Sequence, residues 1–136
     1  MLRLASGYHP RMNLVTFAYV MAGIRSAIGL APLVALGPVA KLFGFPDEQM
    51  NPTARLMARL FGIRNVALAG LLVGAARGWA QLPFVFLLNA AVDFSDVLAI
   101  SVPLLRKQGL GRPAGTSLVL ALGATTAFLV AWSQSR

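Results

Sequence analysis

Four stretches of this 136-residue chain stay apolar for the length that a helix needs to cross a bilayer, about 20 residues, and nothing else in the sequence constrains its fold as much. They cover residues 14–40, 54–76, 82–105 and 114–132. Strict polar–apolar alternation is missing and the runs are too long for strands, so a transmembrane barrel is a poor alternative. The sequence therefore predicts an all-α, polytopic membrane protein. Its four transmembrane helices should form one bundle, a single membrane domain over residues 1–136. Composition agrees: 57% of residues are hydrophobic, 12% are charged and the mean hydropathy is +0.72, which leaves too little polar surface to cover a soluble domain of this size.

The links between these stretches are short. Residues 43–52 hold the acids Asp47 and Glu48 and end in Asn51-Pro52, an N-cap followed by proline in a first helical turn, so the second helix should begin near Pro52. Residues 74–78 form a tight connection, and residues 106–113 form a basic, glycine-rich turn. None has room for another domain. The net charge of +8 would suggest nucleic acid in a soluble protein, but here the cations border the apolar runs and read as anchors to lipid. The expected partner is the bilayer, and no nucleic acid is expected.

An even number of spans puts both termini on one side. Tyr8, Trp79 and Trp132 then share a face, as interfacial aromatics do. Arg3, Arg11, Arg77 and Arg136 lie on that face, against Lys41, Arg55, Arg59, Arg106, Lys107 and Arg112 on the other, a balance that tilts toward termini outside. The first apolar run contains Arg25 and lacks a small-x-small cleavage pattern, so it is expected to stay as a span. No lipidation signal is expected.

Several chemistries are excluded. The chain has no cysteine, hence no disulfide, catalytic thiol or thiolate metal site, which removes the four-span thiol–quinone oxidoreductases. Its one histidine, His9, is read as a solvated or headgroup-level residue, and a bis-histidine haem cannot be assembled from one chain. No cofactor, metal or catalytic set is expected.

The informative residues are ionisable groups within the spans: Arg25, Arg64, Asp93 and Asp96. Each would cost about 2.5–3.5 kcal/mol at a helix centre if unpaired. Counted from Arg55 and Arg106 at about 1.5 Å per residue, Arg64 lies about 14 Å deep and Asp96 about 15 Å. Asp93 lies about 20 Å deep, and Arg25, counted from Lys41, about 24 Å, a gap that a long arginine side chain can bridge. The expected pairs are Arg64 with Asp96 and Arg25 with Asp93. Asn89, Asp93 and Asp96 are spaced i, i+4, i+7 and share one helix face, which must look into the bundle. Asn65, with Ser26, Ser117, Thr125 and Thr126, offers further polar partners. Two readings of this cluster of Arg25, Arg64, Asn65, Asn89, Asp93 and Asp96 stand side by side: an ion-pair network that fixes helix register, or a polar site for a lipid headgroup, a quinone or a proton.

Gly62, Gly70 and Gly74 are candidates for close helix approach. Pro32 and Pro38 either kink the first span or end its helix early and leave an interfacial segment to Phe45, the second being favoured. Gly23-Ile24-Arg25-Ser26 echoes Gly62-Ile63-Arg64-Asn65, a match too short to establish a duplication.

Arg25-Ser26-Ala27-Ile28-Gly29-Leu30, the border Lys41-Leu42-Phe43-Gly44-Phe45-Pro46, the Gly62-Ile63-Arg64 segment and the aspartate-bearing third span together resemble the small four-span bacterial proteins of the DoxX-like group, over residues 20 to 105. The resemblance implies a four-helix fold in a bacterial cytoplasmic membrane and, in some relatives, association with respiratory or redox complexes. It brings no catalytic residues. The leading expectation for function is an accessory or scaffold subunit packing against a larger membrane enzyme or transporter, or a homo-oligomer. The alternatives are a lipid- or quinone-binding protein using the Arg/Asp cluster, and a small proton-coupled transporter or membrane enzyme.

Overall fold

The computed structural model describes residues 13–108 and 111–136. The expectations for Tyr8, His9, Arg3 and Arg11 fall outside the described residues. The described chain is all helical: α1 (Leu14–Val34), α2 (Leu36–Phe43), α3 (Pro52–Ala76), α4 (Leu82–Leu105) and α5 (Gly111–Gln134), with one 3₁₀ turn at Asp47–Gln49.

Local chemistry explains each boundary. Asn13 caps α1, its side-chain oxygen accepting from the amides of Val15 and Thr16. The stretch expected as one span over residues 14–40 is divided at Ala35, whose backbone leaves the helical region (φ −137°, ψ 54°). Pro32 sits in the last turn of α1 and Pro38 in the first turn of α2, where a missing amide proton is tolerated. Of the two expectations for these prolines, the early end of the first helix is the one observed.

α2 closes on Gly44, which takes the left-handed conformation (φ 84°) that glycine adopts without strain. The amides of Gly44 and Phe45 bond back to Lys41 and Ala40, which satisfies the last carbonyls of the helix. Asn51 caps α3 by accepting from the amide of Ala54 at 2.9 Å, and Pro52 takes the first helical position. At the other end of α3 the Gly78 and Trp79 amides repeat the α2 closure on Ala75 and Gly74.

α1 packs along α3, and α4 along α5, as two tight antiparallel pairs; α3 and α4 meet more sparsely. Small side chains on one face of α1, Ala18, Ala22 and Gly29, let it lie close to α3. Across the pairs, Phe17 meets Phe86 and Phe128 edge-on at 5.6 and 5.7 Å between ring centroids, in a dry layer with Leu72 and Val85.

Outside this core the surface is apolar. Leu30 on α1, Leu60 and Ile63 on α3, Leu98 on α4 and Val119 on α5 all face outward. The four long helices each meet the length and apolarity needed to cross a membrane, and only between 22% and 33% of each apolar window is buried within the chain. A bundle that turns most of its apolar residues outward needs lipid as its solvent. This is the surface of an integral membrane protein.

Candidate functional site

The polar centre is built where α1, α3 and α4 face one another. Arg64 and Asn65 are neighbours on α3, so their side chains diverge by about 100° around the helix axis and serve different partners. Asn65 turns toward α1, Arg64 toward α4. On α4, Asp93 and Asp96 stand one turn apart on the same side and each receives one arginine.

The inner pair is Arg25 with Asp93. One guanidinium nitrogen of Arg25 donates to Asp93 Oδ2 at 2.5 Å, the other to Asn65 Oδ1 at 2.8 Å. The two charged side chains are only 6% and 8% exposed. Asn65 is itself fixed by donating to the Phe61 carbonyl one turn back. The Phe128 ring lies 5.1 Å from the Arg25 guanidinium carbon, so an aromatic face covers the cation. A pair held this way keeps both polar groups out of contact with lipid, at the cost of desolvating them.

The outer pair is Arg64 with Asp96, joined by two parallel hydrogen bonds of 2.9 and 2.6 Å. It is more open: 37% of the Arg64 side chain and 22% of the Asp96 side chain remain exposed. Phe61 shields one face of Arg64, its ring centroid 5.0 Å from the guanidinium carbon. These are the two expected pairs, but the count that placed Arg25 ran from Lys41 through the break at Ala35, so only the match of Arg64 with Asp96 rests on unbroken helices.

Asn89 lies on the face expected and is fully buried, but no side chain of the network bonds to it. Its amide nitrogen donates to the Val85 carbonyl of its own helix at 2.8 Å, and its Oδ1 has no protein partner. The Nε of Arg25 and that of Arg64 are likewise buried without a protein acceptor. Thr125 and Thr126 also bond to carbonyls one turn back in their own helix and add nothing to the cluster.

Of the three glycines singled out in the second span, Gly62 is the one at a close helix contact, and its partner is Gly29 of α1. A Cβ on Gly62 would fall 2.5 Å from the Gly29 carbonyl oxygen. Gly74 has only the Trp79 ring near it, and Gly70 faces open space. Gly29 and the two phenylalanines over the guanidinium groups escaped sequence reasoning. Gly29 follows Arg25 by four residues and so shares its face, which was the available signal. Nothing in the sequence pairs Phe128 with Arg25.

The chain belongs to the family described as a domain of unknown function, DUF4267, whose model matches residues 22–135. That span includes every residue of the polar cluster. No curated protein and no solved structure matches the chain.

Proposed function

We propose that this member of the DUF4267 family is a small membrane-embedded scaffold or accessory subunit, which associates with other membrane protein through the flank where α3 and α4 part. One observation carries the reading: a bidentate ion pair, Arg64 with Asp96, stands near the middle of both helices and is left partly open on an otherwise apolar side. Charge turned toward hydrocarbon is costly, and polar residues between helices act as association contacts. A partner helix covering the pair recovers that cost. The links between helices are too short to add a receptor or catalytic domain, so the helix flanks are the surfaces available for work. The resemblance to DoxX-like proteins adds a kind of partner to this reading, a respiratory or redox complex of a bacterial cytoplasmic membrane.

The test is purification in mild detergent followed by mass spectrometry of the proteins and lipids retained. A membrane protein retained in stoichiometric amount by the native chain, and lost from the Arg64→Leu, Asp96→Leu double variant, supports the reading. Native chain that carries no protein partner of any kind, its own copies included, refutes it.

A second reading rests on a different observation, the unpartnered Arg25 Nε and Asn89 Oδ1 in the interior. One is a donor and the other an acceptor: Arg25 Nε suits a quinone or lipid oxygen, and Asn89 Oδ1 suits a lipid or quinol hydroxyl. Retention of one lipid or quinone species, lost on Asn89→Leu, favours this reading.

A further inference from the structure

The outer ion pair has a property that its openness alone does not supply. Arg64 and Asp96 are bonded directly to each other, so they lie at one depth, on neighbouring helices, with opposite charge. Copies of a membrane protein inserted in the same orientation are related by axes along the membrane normal, and rotation about such an axis leaves depth unchanged. A half-turn about an axis beside this flank therefore brings Arg64 of one copy to the level of Asp96 of the other, and the reverse. The charges then alternate in sign around a ring of four. Pairs whose members differ in depth have no such self-complementarity.

The surroundings are compatible with close approach. Ala67, one turn from Arg64, and Ala99, one turn from Asp96, are both exposed and small. Leu60 and Leu71, on the same side of α3 as Arg64, are exposed and provide an apolar rim. The geometry points to a second copy of this chain as the occupant of the α3–α4 flank, in an isologous dimer centred on the Arg64–Asp96 pairs. This inference rests on the lateral-association reading above and names its partner.

A two-fold axis along the membrane normal also keeps each residue level with its own counterpart, so single cysteines report the contact, and the native chain has none to interfere. Ala67→Cys and Ala99→Cys, oxidised with copper phenanthroline in native membranes, are expected to give disulfide-linked dimers. Val119→Cys, exposed on α5, serves as the control and is expected to give background only. In the Ala67→Cys chain, Ala99→Leu should lower the cross-linked yield while leaving the ion pair in place. Replacing both Arg64 and Asp96 by leucine should lower it about tenfold, the effect of interhelical polar contacts of ordinary strength. Yields at Ala67 and Ala99 no greater than at Val119 overturn the dimer. If a different membrane protein is then found bound to the native chain, lateral association stands and only the self-pairing falls; if none is found, both fall.

Discussion

Gly29 and Gly62 face each other across α1 and α3 so closely that each occupies the space where the other would need a Cβ: the added carbon would lie 2.7 Å from the Gly62 oxygen in one case and 2.5 Å from the Gly29 oxygen in the other. Both obstacles are backbone, which cannot rotate away. This contact lies one turn from Arg25 and three residues from Asn65, and so sets the distance over which the Arg25 guanidinium reaches Asn65.

Alanine at either glycine should therefore push the helices apart. Gly29→Ala and Gly62→Ala are each expected to destabilise the fold by about 1–3 kcal/mol, the usual range for overpacking. Gly70→Ala, in open space on the same helix, is expected to be neutral or mildly stabilising, since alanine is the better helix former. Thermal unfolding in detergent separates the two classes. Equal effects at Gly62 and Gly70 would remove the close contact.

The two ion pairs should respond differently to loss of one partner. Arg25→Leu or Asp93→Leu strands a charge in the interior and is expected to cost about 3–5 kcal/mol, most of it recovered when both are replaced. At the outer pair the stranded group is open to the side, where a neighbouring protein or a local water defect in the bilayer can reach it. There the coupling measured by the cycle of Arg64→Leu, Asp96→Leu and the double variant is expected to be smaller, about 1–2 kcal/mol. Additive single effects at the inner pair would contradict the geometry around Arg25.

Much of this arrangement was legible from residue spacing because the physics involved is local. The length of an apolar run reports span number, and the constant rise of a helix reports depth, so Arg64 could be matched with Asp96 before any helix was placed. The division at Ala35 was only half legible, because Pro32 and Pro38 are compatible with a kink as well as a break. What escaped was lateral: which helix face meets which. Gly29 against Gly62 and Phe128 over Arg25 are contacts between segments far apart in sequence, and no periodicity encodes them. Asn89 shows the opposite failure. Its face was read correctly, but an amide one turn from a carbonyl of its own helix can satisfy its donor there and need not join the charged cluster.

Topology gives a third prediction. Four crossings place cysteines introduced within residues 41–53 and 106–113 on one side of the membrane, and those introduced near the two termini on the other. Labelling with an impermeant maleimide in sealed vesicles reads the side directly. Labels at positions 8 and 136 on opposite sides would exclude four crossings.

Asn89 separates the register and ligand readings of the polar centre. If the cluster only fixes helix register, Asn89→Leu removes a buried acceptor with no protein partner and replaces an amide by an apolar group of similar size. That change should leave stability unchanged or raise it, because an unsatisfied buried polar group costs about 1–3 kcal/mol. The Arg25–Asp93 contact should survive, as neither residue bonds to Asn89. If instead Asn89 Oδ1 accepts from the hydroxyl of a bound lipid or quinol, the native chain already gains from that bond. The leucine variant then loses stability together with whatever small molecule copurifies. Thermal unfolding and lipid mass spectrometry on the same preparation therefore give opposite results under the two readings.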